Sequence, residues 1–308
     1  MNLRQNESKR IVHAPAKLNL FLDVLDRRDD GYHELATLIV PVRLYDSLSF
    51  EPLSADNDQP GSIEFSMRTC ESVDRIPTDS SNLVVRALEL LRGRSGCNLG
   101  ARVELFKRIP SAAGLGGGSS DAAAALRVAN RAWRIDWRPE KLASLAAELG
   151  SDVPFFLEQG TAICRGRGER VQPIAGTVPL DVVILKPPTS LATADVYHAL
   201  DRLPVESHRP ADHTERCLAS LSSALRRGTI NDLGRWMGNR LQAAAAVLST
   251  WIGRVQSEFA ELDFLGHQLS GSGSAYFGVC RHAQHARRLA AVLESRQLGL
   301  VYVTRSCC

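Results

Sequence analysis

Between residues 109 and 121 the chain reads Ile109-Pro-Ser-Ala-Ala-Gly-Leu-Gly-Gly-Gly-Ser-Ser-Asp121, with four glycines in five positions. Glycine reaches positive φ without strain and removes the Cβ atoms that would keep a ligand off the backbone. Before it, residues 102–109 alternate in the manner of a strand. After it, the alanine-rich stretch 120–133 reads as a helix. A strand, a glycine loop and a helix N-terminus in that order aim free amides and the helix dipole at an anion, and the hydroxyls of Ser119 and Ser120 add donors and a magnesium-reaching oxygen. The plain alternative is a flexible serine-capped loop, but linkers do not ordinarily join a strand to a strong helix former. Two other nucleotide loops are excluded. No lysine follows a glycine anywhere in the chain, so G-x-x-x-x-G-K-[ST] is absent, and the third position of G-x-G-x-x-G falls on Ser119.

Working outward, 308 residues suffice for two domains with cores of their own. A hydrophobic fraction of 44% and a charged fraction of 23% are those of a globular protein. A net charge of +3 argues against a dedicated nucleic-acid binder. No apolar run is long enough to span a bilayer; residues 241–252 are too short and include Gln242 and Ser249. The polar N-terminus, residues 1–10, lacks the apolar core of a secretory signal. Seven scattered cysteines without a C-x-x-C pair fit free thiols in a reducing cytoplasm, and the adjacent Cys307 and Cys308 read as a frayed end.

Along the chain, residues 11–24 and 35–44 read as extended, with a loop at 27–32 and a surface connection at 51–62. Ser81 or Asn82 can cap a helix over 83–91 that ends near Gly93 or Gly96. Pro139 and Gly150 bracket another helix. Strands are expected at 161–165 and 181–186, a loop at 203–214, and helices over 215–227 and 230–248. Strands at 266–270 and 275–280, a helix over 283–297 and a strand at 300–304 complete the pattern. The domain boundary is expected near 180, giving domains 1–180 and 181–308.

The loop has the form P-x-x-x-G-L-G-x-S-S with one extra glycine. Three further segments accompany it: Pro15-Ala-Lys-Leu-Asn-Leu-Phe-Leu22 with Asp30-Gly-Tyr-His33, then Gly150-Ser-Asp-Val-Pro-Phe-Phe156, then Leu269-Ser-Gly-Ser-Gly-Ser-Ala275. In this order and approximate spacing they resemble the GHMP kinase superfamily, and within it the branch whose substrate carries cytidine. The resemblance covers residues 15–275. It departs where Ala112 replaces a usual glycine and where Ser151 precedes Asp152. It implies an α+β, two-domain GHMP kinase fold, with an N-terminal half like domain 2 of ribosomal protein S5 and a ferredoxin-like C-terminal half. It implies ATP as co-substrate, magnesium alongside it, and phosphoryl transfer to a hydroxyl of a small cytidyl alcohol. Neither a nucleic acid nor a membrane is expected as partner.

On that resemblance Asp152 is the general base that takes the alcohol proton. By residue type alone a turn aspartate before a proline is the favoured reading, which the accompanying motifs reverse. Lys17 interrupts an apolar stretch, where a charge is costly unless paired or functional, and the resemblance sets it beside the aspartate and the reacting hydroxyl. Asn19 shares its strand face by period two and is a candidate substrate contact. ATP is assigned to Pro110, Ser111, Ala112, Ala113, Gly114, Leu115, Gly116, Gly117, Gly118, Ser119 and Ser120, with Asn82 and Lys107 near the adenosine. Helix capping and surface charge are the ordinary readings of those last two. The cytidyl substrate is assigned to Tyr32 and His33, to Tyr197 as a second aromatic closing a sandwich on the base, and to Gly271 and Gly273 in a second glycine turn. No metal-ligand carboxylate stands out, and His282 and His285, at helical spacing, read as solvated. Two alternatives stay open: a superfamily kinase acting on homoserine, mevalonate or a sugar, against which Asp30-Gly-Tyr-His33 argues, and a nucleotide- or RNA-binding protein without chemistry, which Lys17 and Asp152 together disfavour.

Overall fold

A computed structural model of the chain describes residues 9–55, 60–69, 76–158, 160–204 and 211–307. The expectations for residues 1–8, for parts of the 51–62 and 203–214 connections, and for Cys308 lie outside the described residues. In chain order the strands are β1 (Arg10–Arg27), β2 (His33–Leu53), β3 (Ile63–Thr69), β4 (Gly100–Lys107), β5 (Ala162–Gly166), β6 (Arg170–Pro173), β7 (Asp181–Lys186), β8 (Gly238–Asn239), β9 (Gly266–Leu269), β10 (Tyr276–Cys280) and β11 (Leu300–Arg305). The helices are α1 (Leu83–Ser95), α2 (Gly117–Ala132), α3 (Pro139–Leu149), α4 (Val153–Leu157), α5 (Thr193–Leu200), α6 (Ala211–Arg227), α7 (Leu241–Leu248), α8 (Thr250–Ala260) and α9 (Ala283–Ser295), with a 3-10 turn at Ile230–Arg235. They form two units, one of Met1–Ala16, Leu44–Ser111 and Gly116–Glu158, the other of Lys17–Arg43, Ala112–Leu115 and Gln159–Cys308.

In the first unit β4 lies between the second half of β2, paired antiparallel from Ser47 to Leu53, and β3, paired parallel. Its period-two alternation buries Val103, Leu105 and Lys107 on one face, so a lysine shares the apolar side of the strand. The alanines Ala122, Ala123, Ala124 and Ala125 of α2 are all buried. Their small side chains let α2 pack against both α1 and α4. Asn82 caps α1, its Oδ1 accepting the Val84 N–H at 2.9 Å, and Gly96 ends it at φ 70°.

In the second unit residues 35–39 of β2 pair antiparallel with β5, which hairpins to β6, while Phe21 and Leu22 of β1 pair parallel with β8. A four-stranded antiparallel sheet runs β11-β7-β10-β9. α5, α7, α8 and α9 bury Val196, Leu241, Phe259 and Leu289 in one core with Val183, Leu185 and Tyr276 of that sheet. That burial is the main stabilising term, at about 25 cal/mol per Å² of apolar surface.

Several expectations are corrected. β2 runs on to Leu53 because its polar second half alternates in burial and pairs with β4. Residues 230–248 are not one helix. Gly234 and Gly238 interrupt it, a Cβ at Gly234 would strike the Leu265 carbonyl, and Gly238 and Asn239 are taken up as β8. β3, β6, α4 and α8 had no strong local signal. Among the described residues no helix is long and apolar enough to cross a membrane.

Candidate active site

In the first unit the chain entering the glycine stretch is held by a buried carboxylate. Asp46 Oδ1 accepts the N–H groups of Arg108 at 2.6 Å and Ile109 at 2.9 Å. Lys107 Nζ bonds Asp46 and donates to Asp121 Oδ2 at 2.7 Å, tying the strand end to the first turns of α2. Lys107 is therefore not a surface charge: it is 5% exposed. Burial opposes its charge, but the attraction of Asp121 and Asp46 prevails and raises its pKa. Asp121 is the surplus carboxyl beside a single ammonium. Burial, with repulsion from Asp46, pushes its pKa up to about 8 against the pull of Lys107. Its Oδ1 has no hydrogen-bond partner among the described residues.

Past Lys107 the backbone turns through left-handed conformations at Ala112 (φ 47°), Gly114 (φ 73°) and Gly116 (φ 70°), the last at the N-cap of α2. Ala112, where the resembled family has glycine, thus holds a conformation that glycine adopts at lower cost. No side chain caps α2, so an acceptor other than a cap side chain must meet its first amides. The hydroxyls of Ser111 and Ser120 are buried with no hydrogen-bond partner among the described residues. A Cβ at Gly118 would meet nothing within 4 Å. In the same unit Asp152 occupies the N-cap of α4 at φ −84°, half-buried, without capping the helix. The Asn82 amide is spent on the protein, its Nδ2 donating to Pro77 O at 2.6 Å.

The second unit assembles Lys17, Asn19 and a glycine turn. Lys17 is 4% exposed and donates from Nζ to Asn19 Oδ1 at 2.6 Å. Asn19 Nδ2 donates to Thr37 Oγ1 at 2.9 Å, and Thr37 donates on to Phe21 O at 2.6 Å, so the amide is locked with its oxygen toward the lysine. Gly271 packs directly on this pair: a Cβ there would lie 3.1 Å from Lys17 Nζ and 3.2 Å from Gly114 O. Asn239, missed by sequence reading, pins the turn by donating to Leu269 O at 2.9 Å and Gly271 O at 2.7 Å. Ser270 Oγ donates to Gly114 O at 3.1 Å, and the Ala275 N–H to Ala113 O at 3.0 Å. Lys17, Asn19, Gly114 and Gly271 are thus one contiguous group, while Gly273 packs on Leu269.

The aromatic residues are arranged differently from the expected pair of tyrosines. The His33 ring stacks on Tyr197 with centroids 5.1 Å apart at 29°, and its Nε2 lies 2.8 Å from Asp201 Oδ1. Tyr32 is 53% exposed and carries the Arg167 guanidinium over its ring at 4.7 Å. Glu34 holds this region together, accepting from Arg28 at 2.9 Å, from the Gly166 N–H at 3.1 Å and from Arg170. The solvated reading of the other histidines fails for His285. It is buried, with Nε2 3.2 Å from Asp263 Oδ1, in an ion cluster with Arg281 and Arg288, while His282 caps α9. Hydrogen bonds from His285, Arg281 and Arg288 hold the Asp263 carboxyl far below its usual range. Among the described residues no group of three or more His, Cys, Asp or Glu could hold a metal ion.

Comparison with known proteins adds the following. Residues 82–160 match the model of the GHMP kinases N terminal domain, and residues 221–298 that of the GHMP kinases C terminal domain. The chain is 40% identical over 278 residues to the 4-diphosphocytidyl-2-C-methyl-D-erythritol kinase of Pelotomaculum thermopropionicum, covering 90% of this chain and 91% of that one. A crystal structure of a 4-(cytidine 5'-diphospho)-2C-methyl-D-erythritol kinase superposes with a TM-score of 0.78 at 36% identity, over 98% of this chain and all (100%) of the other. The homoserine kinase of Cytophaga hutchinsonii shares the fold, with a TM-score of 0.74 at 20% identity over 99% and 96% of the two chains.

Proposed function

This chain belongs to the 4-diphosphocytidyl-2-C-methyl-D-erythritol kinases, an α+β family of GHMP kinase fold, and from that membership we propose its reaction. The terminal phosphoryl group of ATP passes to the 2-hydroxyl of 4-diphosphocytidyl-2-C-methyl-D-erythritol, giving ADP and the 2-phosphate, in the non-mevalonate route to isoprenoid precursors. What carries the reading is 40% identity over nine-tenths of the chain.

The amides of the glycine stretch, left without a cap at α2, receive the ATP phosphates. Asn82 and Lys107, both engaged within the protein, serve the nucleotide through the backbone they hold. Asp152 accepts the proton of the substrate hydroxyl as the bond to phosphorus forms. Lys17 lends its positive charge to the negative charge that develops during transfer, and the Thr37–Asn19 relay fixes where that charge sits. Tyr32, His33 and Tyr197 take the cytosine, and the turn at Gly271 and Gly273 borders the alcohol. Magnesium fits as a companion of the ATP phosphates: Ser120 offers a buried hydroxyl without a hydrogen-bond partner among the described residues, and phosphate and water would supply the other ligands. When bound, it neutralises phosphate charge. The thiols of Cys97 and Cys280 support a reducing, cytoplasmic setting.

An ADP-release assay tests the reading, with the cytidyl alcohol set against homoserine and mevalonate; equal turnover of either competitor refutes the substrate. In Asp152→Asn, ATP binding and thermal stability should persist while kcat falls roughly 10²–10⁴-fold. A near-wild-type kcat would remove Asp152 from the role of base.

A further inference from the structure

We infer that Asp201 is a positioning residue for base selection, holding His33 in the tautomer that offers an acceptor to an amino-bearing pyrimidine. The inference rests on the cytidyl-kinase reading above and deepens it. Its starting point is the 2.8 Å contact between His33 Nε2 and Asp201 Oδ1, made across 168 residues of sequence. His33 is fixed on a second side by its stack on Tyr197. Tyr197 and Asp201 lie one helical turn apart at the end of α5, and the Asp201 N–H donates to Tyr197 O at 3.0 Å. One helix end therefore supplies both the plane on which the imidazole rests and the carboxylate that sets its rotation. The His33 side chain is 11% exposed and that of Asp201 32%, so the imidazole is largely covered while the carboxylate keeps one side toward solvent.

The chemistry follows from what a carboxylate can do. An ionised Asp201 only accepts, so Nε2 must carry the proton. In the neutral ring Nδ1 is then a bare acceptor. Cytosine presents an exocyclic amine, a donor, at the position where uracil presents a carbonyl oxygen. A locked acceptor bonds the first and repels the second. With Asp201 removed the ring samples both tautomers, and a ring protonated at Nδ1 suits uracil instead. Discrimination by a buried group that would be left unpaired with the wrong partner exceeds what shape alone provides.

The test compares wild type and Asp201→Asn at pH 8, above the ordinary histidine range, with the cytidyl alcohol and its uridine counterpart as substrates. An asparagine can donate to Nε2 and stabilise the opposite tautomer. Expected are a rise of about tenfold or more in KM for the cytidyl substrate, a loss of cytidine-over-uridine preference by a similar factor, and kcat and KM for ATP within about twofold of wild type. A purely structural role would lower thermal stability and kcat together and leave the base preference unchanged; that result overturns the inference. Histidine ¹⁵N spectra of the wild-type protein, with the His33 signal assigned by its loss in His33→Gln, decide the matter even if the variant does not fold. An Nε2–H tautomer supports the role, and an Nδ1–H tautomer refutes it. Failure of the wild type to phosphorylate either nucleotide alcohol would instead break the proposed reaction, and the tautomer measurement would still judge Asp201.

Discussion

The two glycine turns look alike in sequence, Gly116-Gly-Gly118 and Gly271-Ser-Gly273, yet their glycines answer to different neighbours. At Gly271 the protein itself demands the residue. Its φ is 55°, and a Cβ would press on Lys17 Nζ, Gly114 O and Asn19 Oδ1. At Gly118 the protein demands nothing: the backbone is ordinary, the residue is exposed, and a Cβ would meet open space. A glycine with no internal reason, at the uncapped start of a helix, is best accounted for by what approaches from outside. One turn is glycine for the fold; the other, on the proposed function, is glycine for the phosphates.

Gly271→Ala should give the largest effect. Left-handed strain and overpacking against Lys17 together cost about 2–4 kcal/mol of stability, read as a drop in the urea midpoint, and turnover falls because the ammonium is displaced. Gly118→Ala sharpens the contrast. The apparent KM for ATP should rise roughly tenfold while stability changes by less than about 1 kcal/mol, toward a more stable helix. If instead Gly118→Ala unfolds the protein as readily as Gly271→Ala, the distinction between the turns collapses. The smallest effect belongs to Ala112→Gly. Relief of left-handed strain, partly offset by the added freedom of the unfolded chain, should raise stability by about 0.5–1 kcal/mol, read as a rise in the urea midpoint. A loss of stability in that variant would mean that the Ala112 methyl group is part of the packing.

Much of the fold was legible locally. Asn82 and Gly96 bracket α1, and Pro139 and Gly150 bracket α3, because capping and terminating chemistry acts within a few residues. β7 was recognisable as a short β-branched apolar run between breakers. What failed was set by distant partners. Residues 238–239 became a strand because β1 offers them an edge, although their neighbours favour helix. His285 is buried because Asp263, 22 residues away, compensates it. The candidate site divides in the same way. Lys17 was conspicuous as a charge in an apolar strand, but Asp201, Asp46 and Asn239 carried no local signal of their partnerships.

The sequence by itself determined the glycine stretch and the helix that follows it, and offered candidates such as Lys17 and Asp152 for the chemistry, since these depend on residue type and short spacing. Only the tertiary structure decided which charges are buried and what faces them. Lys107 lies between Asp46, 61 residues away, and Asp121, 14 away; His33 is set against Asp201; and Gly271 is pressed on Lys17. The physical reason is that a buried charge or a fixed tautomer is an energy of juxtaposition, and juxtaposition across many residues exists only once the chain has folded.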